Sequence, residues 1–130
     1  MEKVYEAIKN CGVFYLATVD GDQPHVRPFG AVALFEGKVY IQTGKIKPVA
    51  HQMKANPKIE IAGMMKGGGW ARITCEAVLD ERIEAQEHML EENPGLKNMY
   101  KAGDGNTEVY YLQNGTLQVF AGSEQETVKF

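Results

Sequence analysis

Thr43-Gly44-Lys45-Ile46-Lys47-Pro48-Val49-Ala50-His51-Gln52 reads as the end of a β-strand running straight into a short helix. Lys38 to Thr43 alternates Val39 and Ile41 with Tyr40 and Gln42, the period of a strand. Pro48 suits the first helical position, because its missing N–H has no partner there in any helix. Asn56-Pro57 stops the helix, since proline disfavours helical backbone at the residue before it. Two lysines stand where acidic residues are normally preferred, at the positive end of the helix dipole. An anion shared by the helix-start amides, Lys45, Lys47 and the Thr43 hydroxyl would resolve that conflict. The stretch is therefore expected to grip a phosphate.

Outward from this point the chain alternates short strands and tight turns. Residues 2–10 form an amphipathic helix ended by Gly12, and 13–19 a strand closed by Asp20-Gly21-Asp22. His25 to Leu34 reads as one strand, at an edge or with a bulge, because Pro28 cannot donate to a ladder. Lys58 to Ala62 and Trp70 to Leu79 follow as strands on either side of the glycine run 67–69. Asp80 is placed to cap a helix whose apolar face holds Ile83, Met89 and Leu90. Thr107–Leu112 and Thr116–Ala121 are predicted to form a hairpin around Asn114-Gly115. Six or seven antiparallel strands with helices at the edges predict a small closed barrel, with an open α+β sheet as the alternative.

Composition narrows the function. The 130 residues predict one domain, 1–130, and contain no apolar run of membrane-spanning length. Cys11 and Cys75 suit neither a disulfide framework nor a zinc spacing, and no export signal is read at the start, so a cytoplasmic setting is expected. The net charge is −3, yet from Gly37 to Cys75 six lysines and Arg72 face the single acid Glu60. A basic middle in an acidic chain points to a local anion site and not to a nucleic-acid surface. His25, His51 and His88 lack a metal spacing, and no nucleophile–base constellation is legible.

Several pieces, in order and spacing, resemble a known family. They are Ala17-Thr18-Val19, Gln23-Pro24-His25-Val26-Arg27-Pro28, Val39-Tyr40-Ile41-Gln42-Thr43, Ala50-His51-Gln52 and Asn56-Pro57. Together they resemble the pyridoxamine 5′-phosphate oxidase-like flavoproteins, the FMN-binding split barrels. Trp70-Ala71-Arg72-Ile73 and Glu92-Asn93-Pro94 are similar to the smaller nitroimidazole-resistance-related and general-stress branch. The resemblance implies a mainly β fold with flanking helices, a six-stranded antiparallel split β-barrel. It implies a homodimer with FMN at the subunit interface. Carried over by position, Arg27, Pro28 and Phe29 would line one side of the flavin, Gln42 and Thr43 would follow from the next strand, Lys45 and Lys47 would meet the phosphate, and Trp70 would contact or wall the ring.

Two departures weigh against oxidation of pyridoxamine phosphate itself. Gly30-Ala31-Val32-Ala33 stands where those oxidases carry a lysine, and no arginine follows Arg82 and no tryptophan follows Trp70. The expected function is an FMN-dependent oxidoreductase moving electrons from a reduced nicotinamide to a small acceptor, with no essential acid or base among its side chains. A non-enzymatic flavin or redox sensor, a haem or deazaflavin protein on the same barrel, and a cofactor-free α+β domain are the alternatives.

Overall fold

The computed structural model describes residues 1–130. Helix α1 (Glu2–Cys11) buries Val4, Ala7 and Ile8, the i, i+3, i+4 stripe of an amphipathic helix. Strands β1 (Phe14–Asp20) and β2 (Gln23–Phe29) pair antiparallel across the turn at Gly21. Strands β3 (Val32–Phe35) and β4 (Lys38–Gly44) pair across Glu36-Gly37, both in the left-handed region at φ 51° and 75°. That is the primed turn whose twist matches a tight hairpin. Then come α2 (Pro48–Ala55), β5 (Lys58–Met64), β6 (Trp70–Asp80) and α3 (Ile83–Glu92). A 3₁₀ turn, Pro94–Asn98, precedes the long β7 (Thr107–Ala121) and the final β8 (Glu124–Lys129).

The ladder order is β2-β1-β5-β6-β7-β4-β3, with β8 added on β7. Laid flat, seven strands at about 4.8 Å spacing would span about 29 Å. The two outermost strands, however, are joined by Gly30 and Ala31 alone. Three peptide steps reach at most about 11 Å. The sheet must therefore roll until its ends nearly meet, and because no ladder joins β2 to β3 the barrel stays split along that seam. Inside lie Phe14, Leu16, Val39, Ile41, Ile61, Ile73, Leu112 and Leu117, all at most 2 % exposed. Val49 and Met53 of α2 join this core from one side, Val4 and Ile8 of α1 from another. Each such side chain contributes about 1.5–3 kcal/mol by leaving water.

The split barrel is as expected, and the strand count is eight instead of six. The stretch 25–34 is two strands, broken at Gly30-Ala31 where the chain leaves one end of the sheet for the other. Pro24 and Pro28 sit on the edge strand β2, where a missing N–H costs no ladder bond. The expected hairpin at Asn114-Gly115 is absent. Asn114 does take the left-handed conformation, at φ 51°, but as a bulge inside one continuous strand. Asn114 and Gly115 together oppose Cys75, between the pairs Glu76–Gln113 and Thr74–Thr116. Both flanks of the proposed hairpin pair with β6, which leaves them no edge for each other. The true hairpin lies one turn later, between β7 and β8 around Gly122. Nor does Asp80 cap α3, whose N-cap is Arg82. Its carboxylate instead accepts from the Tyr40 hydroxyl at 2.7 Å and from the Arg82 amide and guanidinium. No helix is long and apolar enough to cross a membrane.

Candidate functional site

The seam between β2 and β3 opens into a cleft of about 430 Å³. The end of β2 and its connector supply one wall through Arg27, Pro28, Phe29, Gly30 and Ala31. Gln42 and Thr43 of β4 form the floor, and Lys47 and Val49 stand at the head of α2. The opposite wall is the segment after α3, with Asn93, Gly95, Leu96 and Tyr100. The strand-to-helix turn thus lies at the mouth of the cleft, because β4 ends there and α2 packs back on β1, β4 and β6.

Arg27 bridges three elements. Its guanidinium donates to the Leu16 carbonyl at 3.2 Å, the Thr18 hydroxyl at 2.7 Å and Gln52 Oε1 at 2.7 Å. Thr18 also donates to Gln52 Oε1. No carboxylate pairs with Arg27, and burial draws its guanidinium below the ordinary arginine value, leaving it a cation held by neutral partners.

The turn itself differs from the expected grip. The amides of Lys45 and Ile46 donate to Asn106, that of Lys47 to Gly44 O and that of Ala50 to Lys47 O. Those donors are spent within the chain, whereas the Val49 amide, in the first turn of α2 and in the cleft lining, makes no hydrogen bond, so the turn offers an anion that one amide and its side chains. Neither Lys45 nor Lys47 forms an ion pair, and the first turn of α2 holds no acid. Asn106 is in turn fixed by Asp104, whose carboxylate accepts from the amides of Lys101, Asn106 and Thr107. Those backbone donors hold the Asp104 carboxyl down at about 2.

The cleft lining carries two cations, Arg27 and Lys47, and no carboxylate. It also holds three polar side chains more than nine-tenths buried: Thr43 at 3 %, Gln42 at 6 % and Tyr100 at 8 % exposure. The Thr43 and Tyr100 hydroxyls make no hydrogen bond within the chain. Gln42 spends Nε2 on the Thr43 carbonyl at 3.1 Å and leaves Oε1 unpaired. No side-chain nitrogen or oxygen sealed from solvent lacks a partner, so these three unspent atoms open onto the cleft, beside its two cations, where a ligand could reach them.

Of the residues expected at the site, Arg27, Pro28, Phe29, Gln42, Thr43 and Lys47 line this cleft. Lys45 sits beside it, exposed and outside the lining. Trp70 is elsewhere, stacked on Phe120 at 4.5 Å with the Arg72 guanidinium 5.3 Å from its ring centroid. Sequence reasoning missed Asn93, Leu96 and Tyr100. Asn93-Pro94-Gly95 signals the end of α3, but no local pattern tells that the chain then folds back over β4. His25, His51 and His88 line no part of the cleft; His88 instead meets Glu92 at 2.8 Å. The structure holds no group of three or more His, Cys, Asp or Glu that could bind a metal ion.

A rolled sheet split at one seam, with a cation-lined cleft in the split, defines a split barrel. The sequence model of the pyridoxamine 5′-phosphate oxidase family matches residues 1–115, and the chain belongs to that family. A NimC/NimA family protein from Clostridium acetobutylicum is 48% identical, superposes with a TM-score of 0.97, and is matched over 100% of this chain and 92% of its own. General Stress Protein 26 from Bacillus anthracis shares the fold at 17% identity and a TM-score of 0.79, over 99% and 97% of the two chains. A heme binding protein from Mycobacterium smegmatis does so at 15% identity and 0.70, over 96% of this chain and 57% of that one. No curated protein matches the chain in sequence.

Proposed function

We propose that the chain binds FMN in the seam cleft and serves as an oxidoreductase between a reduced nicotinamide and a small acceptor. The observation that carries this is the cleft lining: two cations, no carboxylate and three deeply buried side chains with unspent polar atoms. A ligand with a dianionic group at one end and a polar-edged ring at the other satisfies all of them. Lys47 and Thr43 would hold the phosphate, as a point charge and a hydroxyl donor at one turn. Arg27 and Gln42 would meet the polar edge of the ring, and Pro28 and Phe29 would flank its apolar part. Bound FMN would supply the two-electron chemistry. The chain's own part is to bind the flavin, orient it and place positive charge beside it. No side chain in the lining is a histidine, cysteine, aspartate or glutamate; its proton-bearing groups are Arg27, Lys47 and Tyr100.

A homodimer is part of the proposal. Tyr15, Val26 and Met64 are 50 %, 67 % and 69 % exposed. The register sets them on one outer face: Val26 beside Ala17, Pro28–Tyr15–Ala62 in a row, and Met64–Trp70–Phe120 in another. The same face also carries Glu60, Arg72 and Gln118, so it is a mixed surface with large exposed apolar side chains, which suits a protein interface. Trp70, outside the cleft, would meet a flavin only across that interface. The two free thiols, Cys11 and Cys75, suit a reducing cytoplasm.

Haem is a second reading, prompted by the haem-binding fold neighbour. The cleft lining offers no histidine, cysteine or methionine as an axial ligand, and Tyr100 is its one side chain of a type that ligates haem iron. Titration of the purified protein with FMN separates the readings. Saturable quenching of flavin fluorescence, followed by NADPH or NADH oxidation with a nitroaromatic or quinone acceptor, is the expected result. A protein that ignores FMN but gives a ligated haem spectrum with hemin would sink the proposal.

A further inference from the structure

We infer that Tyr100 is a specificity-determining residue of the seam cleft, its hydroxyl joining Lys47 and Thr43 on the ligand's phosphate and so setting preference for phosphorylated over unphosphorylated flavin. The inference rests on the FMN reading above. It starts from position. Tyr100 lies on the wall opposite Arg27, 8 % exposed, and its hydroxyl makes no hydrogen bond within the chain. The Lys47 ammonium is 6.0 Å from its ring centroid. Its hydroxyl oxygen is pressed against Gly44, where a Cβ would come within 3.2 Å of it. Gly44 lies between Thr43 and the lysine turn, and Tyr100, Thr43 and Lys47 all line the one cleft.

The chemistry follows. A phenol in this place can donate one hydrogen bond. Its neighbours in the cleft include no carboxylate to receive it. An anionic oxygen would, and hydrogen bonds to charged groups are the strong ones. Gly44 makes the arrangement possible, because its φ is ordinary and only space for the Tyr100 hydroxyl and Asn106 Nδ2 is at stake.

The test compares dissociation constants of FMN and riboflavin, by fluorescence quenching, for the unaltered protein, Tyr100→Phe and Gly44→Ala. Tyr100→Phe keeps the ring against Gly44, and an unchanged circular dichroism spectrum and melting temperature confirm the fold. Expected is a loss of about tenfold or more in FMN affinity with riboflavin affinity held within about twofold. Gly44→Ala, which displaces the hydroxyl by a few tenths of an ångström, should give a smaller loss with the same selectivity. Equal losses for both ligands would place Tyr100 on the ring, and unchanged FMN affinity would leave it without a role; either overturns the inference alone. An unaltered protein that binds no FMN overturns the underlying reading and the inference with it.

Discussion

Lys45 and Lys47 are two residues apart, yet the structure separates them, and single substitutions should show it. Lys47 lines the cleft; Lys45 is exposed and outside the lining. In Lys47→Ala a charge-assisted contact to the phosphate is lost, worth about 1.5–3 kcal/mol. That is about 10- to 150-fold in FMN affinity, since each 1.4 kcal/mol is tenfold. In Lys45→Ala only a through-solvent attraction goes. Unit charges about 10 Å apart in water interact by about 0.4 kcal/mol, and physiological salt screens most of it. The expected loss is about twofold or less. Isothermal titration calorimetry with FMN at about 0.05 and 0.3 M salt reads both quantities. The Lys45→Ala effect should vanish at the higher salt while most of the Lys47→Ala effect persists. Equal losses in the two variants, or no loss in Lys47→Ala, would refute the placement of the phosphate at the head of α2.

Acid and alkali should each loosen the barrel at one point. Asp80 is pulled down to about 2, chiefly by Arg82, and Tyr40 is pushed up to about 12 by burial and its bond to Asp80. Asp80's contribution is full above its ordinary value near 3.8 and fades as pH falls towards 2; Tyr40's is full below 10 and fades as pH rises through 12. Asp80 is worth about 1–2 kcal/mol once solvent around the half-exposed Arg82 is allowed for, and Asp80→Asn should flatten the acid limb of a melting-temperature profile. Gly115→Ala should destabilise by about 1–3 kcal/mol in urea unfolding, because the new methyl collides with the Phe130 ring and lies 2.7 Å from Cys75 Cβ; an unchanged midpoint would show that the bulge has more room than the packing allows.

Much of this was legible from local chemistry. Pro48 and Asn56-Pro57 bracket α2 at its observed ends, because proline acts on its own backbone and its predecessor alone. Alternation marked β4, and Pro28 marked an edge. What failed was long-range. Asn114-Gly115 has hairpin chemistry, but its fate depended on β6, which claims both flanks. Gly30-Ala31 has no strong turn signal, and only the rolling of the whole sheet makes it a break. Glu124–Lys129 is exposed and polar apart from Val128, so its pairing with β7 left no hydrophobic rhythm to read. The Tyr100 wall arrives from more than 50 positions beyond β4, beyond the reach of any motif around Lys47.

The 15-residue strand β7 is the one element that pairs with β6 on one flank and β4 on the other. During synthesis its residues leave the ribosome after every one of the first six strands has been made. Until then the early hairpins cannot be stitched into one sheet, and β4 and β6 each wait with a row of unspent amides and carbonyls. Nascent chains stalled before Thr107 should therefore stay open and engage chaperones, and closure should come late and in a single concerted step.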